Sequence, residues 1–435
     1  MKKRVYSSRR LSSKDFDRII LSLGSSCVVV GVDVSKHELM LMIRSDPSSR
    51  SDAATFSGPY RVANPGGIPE AVALIRQIQS RGGVRVAMES SGTYADAFRQ
   101  SLSDAKLELH RVETKRSHDY AEVFDGVSSQ HDGKDAAVIA ELCAIGKSSP
   151  WAYEQMSESD SRMRLLVEWI DSHDRIKRMW ISRLEGLLAR HWPEATGLLD
   201  LTSGTLLSAL AHYGGPAALA ADDQATRRLK SWGKLFLKES TAAALIVSAR
   251  STLGVRQNPV DQERLGYCAS QAHEASLAIK RYRLQLKKAA RDNKTIQSLA
   301  SAVGIVTACV LWARLGDPRD YDSAQAYRKA MGLNLVERSS GQYKGRLRLS
   351  KRGDPLVRRW MYMAALRLIT EHAELHNWYR RKRQQNGGCH HKAMAALMRQ
   401  LAIALHKIAV SEEPFDPARL FNAVAASVAG GRCGK

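Results

Sequence analysis

The sequence predicts an α/β domain at the N-terminus followed by a mostly α-helical remainder. Short β-branched apolar runs near the start have the length and composition of buried strands. Segments with helical apolar spacing alternate with these runs, which favours a mixed sheet covered by helices. From about Ser159 onward the apolar spacing is helical almost throughout. A chain of 435 residues is long enough for two or three domains.

The predicted sheet begins with two adjacent runs. Cys27–Val34 is apolar and β-branched, and His37–Arg44 follows closely enough to pair with it as a hairpin. Ala53–Phe56 is a candidate third strand, which we expect to end before Pro59 and the Pro65 turn. The next elements are predicted in the order helix Ile68–Arg81, strand Val84–Met88, helix Thr93–Leu102 and strand Leu107–Val112.

Two long amphipathic helices are predicted in the middle of the chain, from about Ser159 to Arg190 and from Asp261 to about Asn293. They suit either an ordinary packing layer or a coiled coil that pairs subunits. The predicted organisation is a basic N-terminal tail at 1–26, an α/β domain at 27–150, a helical or coiled-coil linker region at 151–295, a helical C-terminal domain at 296–420 and a flexible tail at 421–435.

The net charge favours a polyanionic partner. There are 66 Lys and Arg against 44 Asp and Glu, a formal charge of +22, so nucleic acid is the first partner to consider. The six cysteines are scattered without a CxxC pair, which argues against a disulfide framework and a zinc ribbon and favours a reducing cytoplasm. No apolar run approaches the roughly 20 residues that span a bilayer, so no membrane partner is expected.

Four carboxylates occupy positions that suit a metal site. Asp33 lies near the end of the first predicted strand and Glu89 at the end of a later one. The carboxyl ends of strands are where ligands bind in open α/β sheets. Asp132 and Asp135 are three residues apart at the start of a predicted helix, so both lie on one helix face. Taken singly, each acid could equally be a turn or capping residue.

Together the four acids suit hard divalent cations, Mg²⁺ first and Mn²⁺ as the alternative. Two such ions about 4 Å apart can activate a nucleophile and stabilise the leaving oxygen of a phosphodiester. Composition and spacing alone therefore indicate metal-assisted chemistry on a nucleic-acid backbone.

Three N-terminal motifs resemble those of the DEDD-type transposases of the insertion-sequence one-ten family, which also includes Piv-like DNA invertases. The motifs are GVDVSK at Gly31–Lys36, AMESSGTY at Ala87–Tyr94 and HDGKDA at His131–Ala136. The resemblance implies a RuvC-like domain with the ribonuclease-H fold over 27–150. It also implies a catalytic Mg²⁺-binding tetrad made of Asp33, Glu89, Asp132 and Asp135.

The second half of the resemblance lies near the C-terminus. A helix-hairpin-helix-like entry and several short motifs follow the order of that family's C-terminal domain, at Leu299–Ala308, Leu315–Pro318, Met331–Leu333, Ser339–Gly341 and Leu349–Asp354. In the family a serine before the glycine is the nucleophile. This implies Ser340, with Ser339 as the less favoured neighbour.

The serine segment is strongly basic, which suits a phosphodiester and its developing charge. Without the resemblance, a flexible basic loop with incidental serines is the simpler interpretation. The candidate nucleic-acid-binding residues are Arg338, Lys344, Arg346, Arg348, Lys351 and Arg352.

The resemblance implies a transposase or recombinase that cuts and rejoins DNA through a phosphoserine intermediate, guided by a structured non-coding bridge RNA. It also implies a homodimer or homotetramer acting on donor and target DNA. One alternative is a RuvC-like Holliday-junction nuclease that uses water and never joins ends. Another is a non-catalytic nucleic-acid-binding protein in which the carboxylates are structural.

Overall fold

The computed structural model describes residues 7–23, 28–46, 54–90, 92–127, 129, 131–153, 156–337, 345 and 347–420. The predicted tail at 421–435 and most of the serine loop lie outside these residues. The chain divides into two compact units, residues 1–155 and 156–435. The predicted split of the helical part at residues 295 and 296 stays a prediction.

The N-terminal unit contains a seven-stranded mixed sheet in its described part. Its strands are β1 (Arg9–Arg10), β2 (Val28–Val34), β3 (Glu38–Ser45), β4 (Thr55–Ala63), β5 (Val84–Glu89), β6 (Glu108–Val112) and β7 (Ser149–Pro150). Their order is β1-β4-β3-β2-β5-β6-β7. Strand β3 runs antiparallel to β2 and β4, whereas β2, β5 and β6 are parallel. Among the five longer strands this is the order of the ribonuclease-H fold, so the predicted fold class is confirmed.

Five α-helices cover the two faces of this sheet in the described part: α1 (Phe16–Leu21), α2 (Ile68–Gln79), α3 (Asp96–Asp104), α4 (Thr114–Asp125) and α5 (Asp132–Ala144). Successive strand residues point to opposite faces. Val30 and Val32 belong to the apolar cluster that includes residues of α1, α2 and α3. Val29 belongs to the cluster formed with α4 and α5. Both faces of β2 are therefore buried, as its continuous apolar run predicts.

One local prediction in this unit was wrong, and one helix was not predicted. Strand β4 does not stop before Pro59 but continues through it to Ala63. The register against β3 shifts between Leu41 and Ile43, and this irregularity accommodates a residue that has no N–H to donate. Helix α4 was not predicted, because the buried residues of this polar segment are only Ser117 and Ala121.

The C-terminal unit is mostly helical, as predicted. Its first half contains α6 (Glu158–His191), α7 (Ala195–Leu198), α8 (Gly204–Tyr213), α9 (Pro216–Ala221), α10 (Ala225–Gly233), α11 (Glu239–Arg250) and α12 (Pro259–Ala289). Its second half contains α13 (Lys294–Val303), α14 (Ile305–Leu315), α15 (Ala324–Ala330), β8 (Leu335–Val336), β9 (Arg348–Leu349), α16 (Pro355–Glu371), α17 (Ala373–Gln385) and α18 (His390–Ser411).

The long helices α6 and α12 pack against each other and connect two apolar cores. Leu184 of α6 and Leu265 of α12 belong to the core shared with α7–α11. Leu166 of α6 and Leu286 of α12 belong to the core shared with the second half of the unit. The long helices thus form a packing layer within one chain, and subunit pairing through them stays a prediction.

Helix α18 is the one element in the described part that is long and apolar enough to span a membrane by composition. Half of its apolar window is buried inside the unit, where Leu397, Leu401 and Leu405 enter the core. It therefore packs as a core helix in this structure.

Candidate active site

The strand register brings Asp33 and Glu89 together. Val32 of β2 pairs with Met88 of the parallel strand β5, and each acid is the next residue of its strand. Neighbouring strands lie about 4.8 Å apart. Since the two acids are at equivalent register positions, their side chains leave the same face of the sheet at its carboxyl edge.

Gly31 brings the other two acids to the same edge. A Cβ at this position would lie 2.1 Å from the carbonyl oxygen of Ala136 and 2.5 Å from the amide nitrogen of Ala140. Helix α5 therefore crosses β2 in direct backbone contact at Gly31. Asp132 and Asp135 occupy the first turn of α5, immediately before this contact. A glycine two residues before Asp33 thus fixes the approach of the two helical acids.

Burial and the neighbouring negative charges raise the pKa of two of the four carboxylates. Burial, followed by the charges of Asp132, Asp135 and Glu89, raises the pKa of Asp33 to about 6. Burial, followed by the charges of Glu89 and Asp132, also raises the pKa of Asp135. Like charges that share a site disfavour ionisation, and a bound cation removes that penalty. The oxygen-only donor set therefore fits a hard divalent cation.

The side chains are nevertheless not arranged around a single point. Within the part of the chain that the structure describes, no three His, Cys, Asp or Glu side chains are spaced to hold one metal ion. The four carboxylates still influence one another's pKa values, because charges interact over distances much longer than a metal–oxygen bond. The structure thus gathers the tetrad at one edge without closing it around an ion.

Ser117 of the unpredicted helix α4 holds Glu89 in place. Ser117 Oγ donates a hydrogen bond to Glu89 Oε1. Ser117 Oγ also lies 2.9 Å from the carbonyl oxygen of Thr114. Ser117 is buried, so Glu89 has a fixed neutral donor. A hydrogen bond to a carboxylate that binds a metal orients that carboxylate and tunes its affinity for the metal.

If the four acids bind a divalent cation, replacing Ser117 by Ala is expected to weaken that binding by roughly 10-fold, because Glu89 loses its orienting donor. The measurement is the rise in unfolding temperature with Mg²⁺ concentration. Ser101→Ala is a matched control, because that hydroxyl bonds only to the carbonyl oxygen of Ala97 on its own helix. An unchanged Mg²⁺ dependence in Ser117→Ala would contradict this role.

Lys134, between the two helical acids, is buried and anchors the segment before α5. Its Nζ lies 2.7 Å from Asp125 Oδ1 and donates to the carbonyl oxygens of Val127 at 2.5 Å and Ser129 at 3.1 Å. A buried ammonium is tolerated only with such partners. Lys134 therefore ties the end of α4 to the start of α5 and sets where the first turn of α5 begins.

Asn64 fixes the loops that follow two of the strands. Its Nδ2 donates to the carbonyl oxygen of Ser35 at 2.9 Å, just after β2, and to that of Tyr94 at 3.0 Å, after β5. The two loops that flank Asp33 and Glu89 are thereby held together. Sequence reasoning did not find Asn64, Ser117 or Lys134 as functional residues, because each acts through a partner distant in sequence or on an unpredicted helix.

The raised pKa of Asp33 predicts a specific pH dependence of stability without metal. Its folded-state pKa lies above the unfolded value, so its contribution to stability falls as pH rises from about 4 to about 6 and stays low above that. Asp33→Asn should therefore exceed wild type in stability by about 1–2 kcal/mol near pH 7.5, allowing for the partial exposure of the carboxyl. The difference should vanish near pH 4 in chelator-treated samples followed by thermal unfolding, and a constant difference would contradict the assignment.

The serine loop of the C-terminal unit is described only at its base. Most candidate residues of this loop lie outside the described residues, and their roles stay predictions: Ser339, Ser340, Arg338, Lys344 and Arg346. The flanking strands β8 and β9 pair antiparallel, with Leu335 opposite Leu349 and Val336 opposite Arg348.

The base of this loop is held by backbone contacts. Ser350 N donates to the carbonyl oxygen of Asn334 at 2.7 Å. Asp354 caps α16 and accepts a hydrogen bond from Arg314 Nε at 2.6 Å. Arg348, Lys351 and Arg352 are exposed beside this base, where charge can reach a bound polyanion.

Comparisons with known proteins bear on the same segment. Helices α13 and α14 are joined at Gly304, whose φ is 76°, in the segment where a helix-hairpin-helix-like entry is predicted. Residues 295–380 match the family model described as Transposase IS116/IS110/IS902 family. This match supports transposase activity. It covers the C-terminal segment that carries Ser339 and Ser340, and the N-terminal acids lie outside it.

The chain was also compared with curated proteins and with solved structures. No curated protein matches the chain. The RuvC structure from Thermus thermophilus is similar at 14% identity and a TM-score of 0.22, covering 28% of this chain and 99% of that one.

Proposed function

We propose that the protein is a DNA transposase or recombinase that cleaves strands and rejoins them through a phosphoserine intermediate. The single observation that carries the proposal is the combination of four mutually coupled carboxylates at one sheet edge with a transposase-family segment in the same chain. The same fold hosts many activities, so these residues decide the function.

In the N-terminal unit, Asp33, Glu89, Asp132 and Asp135 are proposed to hold Mg²⁺, which Mn²⁺ can replace. When bound, the cation supplies charge stabilisation at a phosphate oxygen. Ser117 orients the carboxylate of Glu89, and Asn64 keeps the neighbouring loops in register. Lys134 sets the start of α5, and thereby the positions of the two helical acids.

In the C-terminal unit, the Ser340 hydroxyl is proposed to attack the scissile phosphorus, with Ser339 as the alternative nucleophile. The Ser Oγ–P bond forms as the P–O bond to the leaving strand breaks, and the proton ends on the released hydroxyl. Because the phosphoserine link keeps the ester bond energy, a strand hydroxyl can later reverse the attack without ATP. The negative charge of the phosphate would be stabilised by the basic residues of this segment: Arg338, Lys344, Arg346, Arg348, Lys351 and Arg352.

The test is adduct trapping on plasmid DNA that carries the sequence flanking the gene. The full chain with Mg²⁺ is expected to yield a detergent-resistant protein–DNA adduct, and peptide mass analysis should place the link on Ser340. Ser340→Ala should abolish the adduct and strand joining. If the Ser339→Ala and Ser340→Ala double variant still exchanges strands, the nucleophile assignment is wrong.

The same assay separates the rival functions. A RuvC-like nuclease that uses water would cut without any adduct and without joining. A non-catalytic binding protein would bind DNA equally well with Asp33→Ala and show no Mg²⁺-dependent reaction. The transposase-family match favours the recombinase over both.

We further propose a structured bridge RNA and a homodimer or homotetramer as the working assembly. Support comes from the sequence resemblance and from the net charge of +22. Sequence choice by base pairing needs no recognition helix in the protein. Copurification of an RNA transcribed from the flanking DNA is expected, and full activity after ribonuclease treatment would refute the RNA proposal.

A further inference from the structure

We propose that the turn between α17 and α18 is a second, sequence-independent binding surface for duplex DNA. We call it the basic turn and define it by Arg380, Arg381, Lys382, Arg383 and Lys392. It is distinct from the serine loop, and it begins at the last residue matched by the transposase model. The choice of DNA as its partner rests on the proposed function.

The charge of this part of the chain is one-sided. From residue 375 to residue 411 there are seven Lys and Arg residues and no Asp or Glu. Five of the seven lie in the last six residues of α17 or the first turn of α18. Adjacent like charges repel one another, so such a cluster is stabilised by an anionic partner.

No acidic side chain neutralises the basic turn among the described residues, whereas Arg359 is paired with Asp171 at 2.8 Å and Arg314 with Asp354 at 2.6 Å in the same unit. None of the ion pairs found among the described residues includes a member of the basic turn. Its members are exposed, except that Lys382 is half-buried. Their charges are therefore available to a ligand.

Two side-chain hydrogen bonds brace the turn. Arg383 Nε donates to the carbonyl oxygen of Gly388 at 2.8 Å, and Asn386 Nδ2 donates to that of Lys382 at 2.7 Å. These two bonds join the end of α17 to the loop that follows it. The backbone that carries the basic side chains is therefore braced on both sides of the turn.

His390 fastens the start of α18 to two other helices. Its Nε2 lies 2.9 Å from the hydroxyl of Tyr362 on α16, and its Nδ1 lies 2.6 Å from the hydroxyl of Tyr379 on α17. Three helices thus converge on one imidazole beside the cluster. A surface ordered in advance loses less conformational entropy on binding than a flexible basic tail.

Lysine and arginine at this density bind phosphates along a backbone rather than base edges. The surface is thus expected to add affinity for any duplex sequence. It would hold DNA on the C-terminal unit without selecting a site, which leaves sequence choice to other parts of the assembly.

The experiment measures binding of the full chain to a fluorescent duplex of unrelated sequence by anisotropy between about 0.05 and 0.2 M NaCl. The test variant is R380Q/R381Q/K382Q/R383Q. The matched control, R227Q/K238Q/R250Q/R256Q, removes the same charge from exposed positions in the same unit. Thermal unfolding of both variants checks that the fold is retained.

The test variant should lose about 10-fold or more in affinity, and the slope of log K against log salt should fall by about 2–4. The control should stay within about threefold of wild type. Equal losses in both variants would show a general charge effect and overturn the proposal. So would unchanged duplex binding together with lost binding of an RNA hairpin, which would assign the turn to RNA.

The outcome is separable from the proposed function. If the wild-type chain forms no adduct and cuts no DNA, the proposed function fails. Loss of duplex binding in the test variant alone would still support the basic turn. Conversely, normal cleavage chemistry with unaltered DNA affinity in the test variant would overturn only the basic turn.

Discussion

Asp33→Asn is expected to abolish strand cleavage, lowering its rate by on the order of 10³-fold or more, because the most perturbed carboxylate of the tetrad loses its charge. The substitution keeps the shape of the side chain, so DNA affinity should remain close to that of wild type. The measurement is single-turnover cleavage of plasmid DNA at saturating Mg²⁺, with duplex binding followed in parallel.

Asp104→Asn is the matched control, because Asp104 ends α3, is exposed and accepts a hydrogen bond from Gln100. It should cleave at the wild-type rate. If Asp33→Asn retained cleavage within about 10-fold of wild type, the N-terminal acids would not form the metal site of the reaction. Loss of DNA binding and cleavage together would instead indicate a structural role.

Gly31→Ala adds only a methyl group, but it should lower both the stability of this unit and the rate of cleavage. The new Cβ would overlap backbone atoms of Ala136 and Ala140, which cannot rotate away as a side chain can. Helix α5 must then move off the sheet and carry Asp132 and Asp135 with it. We expect a loss of about 1–3 kcal/mol in unfolding free energy and about 100-fold in cleavage.

Gly82→Ala is the matched control for this prediction. A Cβ at Gly82 would meet nothing within 4 Å, so stability and cleavage should both be unaffected. The two measurements are thermal unfolding and cleavage rate on the same preparations. Wild-type cleavage by Gly31→Ala would mean that the position of α5 does not govern the reaction.

The sequence carries enough information to predict the scaffold of the site. The apolar run before Asp33 requires a strand buried on both faces, and the run before Glu89 requires another. Their acids therefore had to lie at strand ends. The three-residue spacing of Asp132 and Asp135 placed them on one face of a helix, and both occupy the first turn of α5.

The parts that sequence could not predict depend on contacts between distant segments. Helix α4 has few buried residues, so the sequence shows no apolar periodicity that would predict it. The hydrogen bond from Ser117 to Glu89 could therefore not be predicted either. The passage of β4 through Pro59 depends on a register shift against β3, which local turn signals do not encode. The close approach at Gly31 likewise depends on where α5 returns to the sheet.

We propose that the four carboxylates at the edge of the sheet form a divalent-cation site. The most direct test is thermal unfolding near pH 7.5 with increasing Mg²⁺, comparing wild type with Asp33→Asn. Cation binding to the folded state stabilises it by mass action, so the unfolding temperature of wild type should rise steadily with Mg²⁺. Asp33→Asn should start higher, because it lacks the repelled charge, and should respond only weakly. Equal rises in both proteins, or none in wild type, would contradict the claim.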